Sequence, residues 1–531
     1  MAGRMPPHGD HAAVNLHGHP PHPAGTGDPA RALVDALRAS LPGAQADCIE
    51  THISWVLLAG DDAWKIKKPL KLDFLDFSTL EQRHAACLEE LRINRRTAPG
   101  LYLDVVPITG SVRAPRIGGN GPVLEWAVHM RRFPADAELT RIAAEGRLRA
   151  SHIDALARRV ATLHADAARA TPARSYGQPE ARVHAAQDNF RPLAALLADT
   201  PAAVDVDALA RWSAAEGERL TPLMRARLAA GQVRECHGDL HLGNLLWLQG
   251  DAVLFDAIEF DPALRWIDVI ADVAFLFMDL HAHGLAPLAW RFINAWLDLG
   301  GDHAGVALLP WCAAYRALVR AKVAALRAAA PDDAPTQEAA RYLRLARGFM
   351  QPRERVLWLA SGVSGSGKSS QSQPLIEQRG LVALHSDVER KRLFDLAPLQ
   401  RSAGVPGGIY TADASARTYA ALAERARAVL TAGQPVLVDA TFLRRAHRAG
   451  FIALARELGV PCRILAFDAP EPVLRERVRR RAAAGGDASE ATERVLERQL
   501  AEREPFTDDE RPLVTQVDTT QAVDWARLLP D

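Results

Sequence analysis

The sequence predicts an α+β domain with two lobes, followed by an α/β domain with a mostly parallel sheet. A chain of 531 residues exceeds what one compact core accommodates. Short strand-like runs precede long stretches with helical spacing, and the apolar run Val356–Ala360 opens a new alternation of strands and helices. We therefore expect a first domain over residues 31–348 and a second over residues 352–531.

Residues 1–30 are rich in Pro, Gly and His and lack apolar periodicity. Such a composition predicts a disordered leader. Its histidines could bind a metal ion, but a flexible segment of biased composition is the simpler interpretation.

The composition excludes several classes of protein. Hydrophobic residues make up 48% and charged residues 24%, as in a globular protein, and 64 basic residues balance 64 acidic ones. The chain therefore has no general attraction to nucleic acid or to a membrane. Its 5 scattered cysteines predict neither disulfides nor a zinc site, and no apolar run reaches the ~20 residues of a membrane helix. We expect a cytoplasmic protein.

The first domain begins with strand signals. Ile53–Leu58 and Ala63–Ile66 flank the turn Gly60-Asp61-Asp62 and predict a hairpin, and residues 78–95 then predict a helix. The other predicted strands of this domain are Val123–Val128, Val233–Cys236, Leu245–Leu248 and Val253–Phe255. Helical spacing dominates residues 148–230 and 285–347.

One polar segment of this domain carries a catalytic pattern. His237 to Asn244 match H-x-D-x-x-x-x-N, in which the aspartate, here Asp239, accepts a proton from a substrate hydroxyl and the asparagine, here Asn244, holds magnesium. Asp256 follows an apolar strand and could face the loop across the same metal. The alternative is a polar surface loop.

A lysine upstream of this loop should contact the nucleotide phosphates. Lys65 stands in an A-x-K pattern on a predicted strand, and Lys67, which shares its face, is the second candidate. Glu89 or Glu90 on the following helix could pair with the lysine, and we favour Glu90. The expected glycine-rich loop is missing from the sequence.

Together these features resemble the aminoglycoside phosphotransferase-like branch of the protein-kinase-like fold. The residues that carry the resemblance are Thr51-His52-Ile53-Ser54, Lys65-Ile66-Lys67-Lys68-Pro69, Phe74-Leu75-Asp76-Phe77-Ser78, Met130-Arg131-Arg132-Phe133, Leu163-His164 and the loop 237–244. The resemblance implies that Asp239 is the catalytic base, Asn244 and Asp256 are magnesium ligands and Lys65 contacts the phosphates of ATP. It also implies a small-molecule substrate with a hydroxyl group.

The second domain opens with a phosphate-binding loop. Gly362 to Ser369 satisfy G-x-x-x-x-G-K-[ST] directly after a predicted strand. Lys368 should reach the terminal phosphates, and Ser369 should offer its hydroxyl to magnesium. The predicted nucleotide-binding residues are Gly362, Ser364, Gly365, Ser366, Gly367, Lys368, Ser369 and Ser370. Asp439, which ends the apolar run Val436–Val438, is the predicted acidic partner of that magnesium.

Two further sets of charges could complete this site. Asp387 and Arg390, three residues apart, could accept the proton of a substrate hydroxyl and bind the substrate or phosphate, although a helix-start aspartate is nearly as good an interpretation. An arginine run follows at residues 475–481, before Gly485-Gly486. These arginines could close over the phosphates or form a solvated helical face.

Residues from about 354 to 531 resemble the P-loop kinases grouped with zeta toxins and polynucleotide kinases. The features that carry the resemblance are the P-loop, Asp387 with Arg390, Asp439-Ala440-Thr441 and the arginine run. The sequence thus predicts a bifunctional fusion of two ATP- and Mg²⁺-dependent units, the first a phosphotransferase for small-molecule hydroxyls. The alternatives are a nucleotide-sensing switch without a second substrate, or polynucleotide 5′-hydroxyl kinase activity in the second domain. Nucleic acid is not the favoured partner, because the charges balance.

Overall fold

The computed structural model of the protein describes residues 28–41, 46–72, 75–171, 176–328, 333–405, 408–484 and 488–529. The predicted leader lies outside these residues except at its end, where the first helix begins at Pro29 behind the capping side chain of Asp28. The Gly485-Gly486 break also lies outside them. Among the described helices, none combines the length and apolar character needed to cross a lipid bilayer.

The chain divides into two compact units. The first contains residues up to His283 and Trp311–Met350, and the second contains Gly284–Pro310 and the chain from Gln351 onward. The break after Met350 falls where the sequence predicts a domain boundary. Residues 284–310, which the sequence analysis assigned to the first domain, instead pack with the second unit.

The first unit begins with an antiparallel sheet. Its strands, in the order in which they pair, are β1 (Asp47–Glu50), β2 (Ser54–Ala59), β3 (Asp62–Lys67), β8 (Val123–Arg131), β6 (Tyr102–Ser111) and β7 (Ala114–Ile117). β2 and β3 form the predicted hairpin, with Val56 opposite Lys65. Three two-stranded ribbons complete the strands of this unit: β4 (Lys71–Leu72) with β5 (Leu75–Asp76), β9 (Val233–Glu235) with β12 (Trp266–Asp268), and β10 (Leu245–Leu248) with β11 (Asp251–Leu254).

Helices make up most of the remainder of this unit. They are α1 (Pro29–Ser40), α2 (Leu80–Asn94), α3 (Leu139–Ala144), α4 (Ala150–Asp166), α5 (Pro179–Gln187), α6 (Phe190–Leu196), α7 (Ala203–Ala229), α8 (Pro262–Arg265), α9 (Val269–Ala282), α11 (Leu309–Leu326) and α12 (Ala334–Met350). Short 3₁₀ turns lie at Ala135–Ala137 and Leu242–Asn244. A strand-rich part followed by a helical part is the predicted α+β arrangement, which is confirmed.

The second unit contains the predicted parallel sheet. Its strands pair in the order β14 (Val382–His385), β15 (Val436–Asp439), β13 (Leu357–Ser361), β16 (Cys462–Asp468) and β17 (Val514–Asp518), and each pair is parallel. Every residue of β13 is buried, as expected of a strand with helices on both faces. Because the carboxyl ends of parallel strands share one edge, residues that follow β13, β14 and β15 lie near each other.

The helices of the second unit include one from the middle of the chain. They are α10 (Ala286–Gly300), α13 (Lys368–Arg379), α14 (Ser386–Arg392), α15 (Ala412–Thr431), α16 (Arg445–Glu457), α17 (Glu471–Ala484), α18 (Glu493–Glu502) and α19 (Trp525–Leu528). Short 3₁₀ turns lie at His303–Leu308 and Arg511–Leu513. One apolar core of this unit gathers buried residues of β13 and β16 with Leu375 and Ile376 of α13.

Candidate functional site

The lysine of the first unit lies in a network of buried charges. Lys65 Nζ lies 2.6 Å from Asp256 Oδ1 and 2.8 Å from Glu90 Oε1. The predicted pairing with Glu90 is confirmed, and Glu89 instead pairs with Arg92. Burial alone would lower the pKa of Lys65, but the nearby carboxylates of Asp256 and Glu90 outweigh it and raise the pKa well above its usual value. Lys65 is therefore a fixed cation.

The second lysine candidate belongs to the same network. Lys67 lies two residues further along β3, hence on the same face, and its fully buried ammonium contacts Glu90 and Glu259. Two ammonium groups thus contact three carboxyl groups. The carboxyl groups outnumber the ammonium groups, which favours the binding of a further cation such as a metal ion. Glu259 could not be predicted as a partner, because nothing in the local sequence pattern links it to a lysine far upstream.

The predicted catalytic loop brings Asp239 and Asn244 together. Asn244 Nδ2 donates to Asp239 Oδ2 at 2.9 Å and to the Asp239 carbonyl at 3.0 Å. This amide nitrogen is engaged, so the amide oxygen of Asn244 is the atom that could bind Mg²⁺. Asp239 Oδ1 is buried and has no hydrogen-bond partner among the described residues. An acceptor oxygen in that state fits the hydroxyl of a substrate.

The acidic residue opposite this loop is held in an unusual backbone conformation. Asp256 has φ 57°, a region that residues with side chains rarely adopt. Its backbone N–H donates to the Tyr102 hydroxyl at 3.1 Å, and the next N–H, of Ala257, donates to Asn94 Oδ1 at 2.9 Å. Asn244 Nδ2 lies 3.5 Å from the Asp256 carbonyl. The end of α2, the start of β6 and the segment after β11 therefore converge with the loop.

Two aspartates of α9 fix the backbone of this loop. Asp272 accepts from the N–H groups of His237 at 3.2 Å and Gly238 at 2.8 Å, and Asp279 accepts from that of Leu242 at 2.9 Å. Burial alone would raise the pKa of Asp272, but a 3.0 Å contact with the ring of His164, the nearby His237 ring and the Gly238 N–H lower it to about 2. In the sequence, both aspartates interrupt the apolar run Val269–Leu280.

The same region contains a metal-like grouping. Ligand-type atoms of His164, Cys236 and Asp272 lie within 4.8 Å of one another. Burial raises the pKa of the Cys236 thiol well above its usual value, and the thiol lies 3.5 Å from the Ile267 carbonyl. Because Asp272 already accepts from His164 and from two N–H groups of the loop, this grouping fits a structural role.

The phosphate-binding loop of the second unit follows β13 and leads into α13. Gly365 and Gly367 both have φ 81°, which favours glycine, and a Cβ on Gly362 would lie 2.5 Å from the Phe467 carbonyl. Lys368 Nζ donates to the carbonyls of Gly362 at 2.9 Å and Val363 at 3.2 Å. The lysine thus lies over the loop that would cradle phosphates.

The predicted magnesium pair of this unit is in contact. Ser369 Oγ donates to Asp439 Oδ2 at 2.5 Å, across the edge where β13 and β15 end. Burial alone would raise the pKa of Asp439, but His385 and Lys368 outweigh it and lower the pKa. A hydroxyl and an ionised carboxylate are oxygen ligands that suit Mg²⁺.

The other predicted serines of the loop have different surroundings. The backbone N–H of Ser364 donates to Gln499 Oε1 at 2.7 Å, so a side chain of α18 reaches the loop, which the sequence analysis missed. Ser366 Oγ is buried without a hydrogen-bond partner in the described part of the chain. Ser370 Oγ donates to the Gly367 carbonyl at 3.1 Å, which supports the start of the helix.

Asp387 and Arg390 both lie on α14, directly after β14. Asp387 is half-buried and lies near Lys368 of the P-loop. Burial lowers the pKa of Lys368, and the carboxylates of Asp439 and Asp387 offset this only in part. Arg390 is buried and donates to the Ile409 carbonyl at 3.1 Å and to Ser415 Oγ at 3.3 Å. Both side chains thus lie on the helix that follows β14, at the same edge of the sheet as the P-loop.

The arginine run on α17 divides into two faces. Arg475 pairs with Glu471 and Glu497 on the surface. Arg477 instead donates to the Gly365 carbonyl of the P-loop at 3.3 Å and to the Thr519 carbonyl at 2.6 Å. Arg475 therefore fits the interpretation of a solvated helical face, whereas Arg477 contacts the backbone of the P-loop.

Known proteins are similar to separate parts of this chain. Residues 357–506 match the family model of the AAA domain. A gluconokinase from Sinorhizobium meliloti is 24% identical and covers 32% of this chain and 85% of its own, with a TM-score of 0.23. A choline/ethanolamine kinase family protein from Mesorhizobium loti is 13% identical and covers 66% of this chain and 99% of its own, with a TM-score of 0.38.

Longer matches come from mycobacteria. Uncharacterised proteins of Mycobacterium tuberculosis (strain H37Rv) and Mycobacterium bovis are each 31% identical to this chain over 447 residues. The match covers 83% of this chain and 88% of each relative, so it extends over parts of both units. The chain therefore belongs to the family of these mycobacterial proteins.

Proposed function

We propose that the protein is an ATP- and Mg²⁺-dependent phosphotransferase. Its first unit would phosphorylate a hydroxyl group of a small molecule, and its second unit would bind ATP as a P-loop kinase or ATPase. The observation that carries the proposal is the convergence of Lys65, Glu90 and Asp256 beside the Asp239–Asn244 pair. Phosphoryl transfer needs such an array, because positioning and charge neutralisation supply most of its catalysis.

The roles in the first unit follow from the chemistry of each group. Lys65 would contact the ATP phosphates, and Asn244 and Asp256 would hold Mg²⁺, which when bound neutralises charge on the phosphates. The buried Oδ1 of Asp239 would accept the proton of the acceptor hydroxyl. A bond then forms between the hydroxyl oxygen and the γ-phosphorus, while the bond from that phosphorus to the leaving ADP oxygen breaks.

The roles in the second unit are assigned in the same way. The P-loop N–H groups and Lys368 would bind the phosphates, and Ser369 and Asp439 would hold the metal. Asp387 and Arg390 would face the acceptor, the first as base and the second as an anion contact. The charge balance of the chain favours a small acceptor over a polynucleotide.

The test follows labelled phosphate from ATP into a pool of metabolites. We expect Asp239→Asn to abolish one labelled product and Lys368→Ala to abolish another. Asp508→Asn and Lys71→Ala change well-exposed residues and are the matched controls, with no expected effect. Phosphate release without a labelled acceptor would support a nucleotide switch and contradict the proposal.

A further inference from the structure

A segment from the middle of the chain completes the second unit. Helix α10 lies against β14, the edge strand of the parallel sheet. Asn294 makes one hydrogen bond to that strand and one to the residue before it. Its Nδ2 donates to the Leu381 carbonyl at 2.9 Å, and its Oδ1 accepts from the Ala383 N–H at 2.7 Å. One side-chain amide thereby satisfies backbone groups that an edge strand would otherwise leave exposed.

The end of this helix reaches the nucleotide side of the sheet. Arg392 of α14 donates to the Asp298 carbonyl at 2.5 Å, which fixes the last turn of α10 against the helix that carries Asp387 and Arg390. Asp298 is the acidic residue of that turn, and its half-buried side chain faces His385, the last residue of β14.

His385 links Asp298 to the candidate magnesium pair. His385 Nε2 lies 3.7 Å from Asp298 Oδ2, and His385 Nδ1 lies 3.4 Å from Asp439 Oδ2. The same Asp439 oxygen accepts from Ser369 Oγ. The ring thus lies between two carboxylates, one of which is a candidate metal ligand.

We infer that Asp298 is a positioning residue of the P-loop site, which acts through His385 to hold Asp439 in the orientation that binds the metal of the nucleotide. The inference rests on the proposed function of that site. Contacts of its two ring nitrogens with Asp298 and Asp439 restrict the rotation of the imidazole, and the ring in turn restricts the orientation of the Asp439 carboxylate. Groups that orient a metal ligand in this way typically change metal affinity or activity by about 10–100-fold when removed.

The experiment measures binding of a fluorescent ATP analogue to the full chain at increasing Mg²⁺. The signal of the second unit is the part that Lys368→Ala removes. We expect Asp298→Asn to raise the Mg²⁺ concentration for half-maximal binding by about tenfold or more, with metal-free binding unchanged. Asp302→Asn is the matched control, because this carboxylate of the same segment acts on Arg425. It should leave the Mg²⁺ requirement unchanged.

Two outcomes separate the inference from the proposed function. If Lys368→Ala removes no nucleotide binding, the proposed function of this unit is wrong. If Lys368→Ala removes nucleotide binding but Asp298→Asn leaves the Mg²⁺ requirement unchanged, only the inference is overturned. This holds even if Asp298→Asn lowers the thermal stability of the protein.

A double variant tests the route through His385. If Asp298 acts through the ring, Asp298→Asn should add little to the effect of His385→Gln on the Mg²⁺ requirement. Fully additive effects would overturn the inference, because they would mean that Asp298 acts on the metal site independently. Partial recovery in Asp298→Glu would support it, since the carboxylate is then retained.

Discussion

Replacing Lys67 with Met tests the buried charge network of the first unit. The Lys67 and Glu90 side chains are fully buried, and Glu259 is 4% exposed. In this variant Glu90 still has Lys65 as a partner at 2.8 Å, so Glu259 is the carboxyl group that mainly loses its ion pair. Removing one partner of a buried ion pair costs about 3–5 kcal/mol, and we expect a loss of that size in the free energy of unfolding.

The loss should depend on pH with a definite sign. Burial raises the pKa of Glu259 above its usual 4.5, and Lys67 offsets this only in part. Without Lys67 the folded-state pKa rises further, so the folded state binds a proton that the unfolded state releases. Stability then falls as pH rises from about 4.5 through the folded-state pKa. The destabilisation by Lys67→Met is therefore larger at pH 8 than at pH 5.

Urea denaturation followed by circular dichroism measures this loss at both pH values. Lys71→Met is the control. Because Lys71 is 73% exposed, this substitution should leave the free energy of unfolding almost unchanged. Adding Glu259→Gln to Lys67→Met should recover much of the stability, because it removes the unpaired carboxyl. A loss below about 1 kcal/mol, the value of an exposed pair, with no pH dependence would refute the reasoning.

Three other variants test separate parts of the two sites. Asp272→Asn should lower the turnover of the first unit. It should also remove the stability that the wild type loses as pH falls from 3.8 towards about 2. Rates and urea titrations at several pH values measure these effects, and a pH-independent difference in the free energy of unfolding between wild type and variant would contradict the second. Ser369→Ala should raise the Mg²⁺ needed for nucleotide binding but leave metal-free binding intact, as titration would show. Arg477→Ala should weaken nucleotide binding while Arg475→Ala should not, and equal effects would count against the division of the arginine run.

The parts of the sites that the sequence predicts are those encoded locally. The loop from Asp239 to Asn244 and the P-loop are short motifs, so their residues are neighbours whatever the rest of the chain does. The alternation of β3 likewise places Lys65 and Lys67 on one face. Patterns of this kind predict which residues share a face or a turn, and the structure has the two loops and the shared face of β3.

The parts that the sequence did not predict depend on distant packing. Strand alternation cannot say that Lys67 meets Glu259, because that contact depends on how the loop after β11 packs against β3. Gln499 similarly reaches Ser364 only because α18 packs near the P-loop. An acidic residue inside an apolar helix, such as Asp272, was the one available signal, because a buried charge needs a partner.

The assignment of residues 284–310 shows a further limit of sequence patterns. Helix α10 has an apolar face that includes Phe292, Ile293 and Leu297, all buried. An apolar face predicts that a helix packs against something, but not which unit provides the surface. The family model of the AAA domain begins at residue 357, so it does not include this segment.

This placement has a consequence for any fragment that begins at residue 351. Such a fragment lacks Asn294, and the edge of β14 then loses its bonds at Leu381 and Ala383. An uncovered edge beside an apolar surface promotes aggregation. We expect fragment 351–531 to bind a dye specific for exposed apolar surface and to form oligomers, as light scattering would show, whereas the full chain should not. A monomeric fragment with the same Mg²⁺ requirement as the full chain would contradict both roles of residues 284–310. It would mean that they do not protect the edge of β14 and that Asp298 does not influence metal binding at the P-loop.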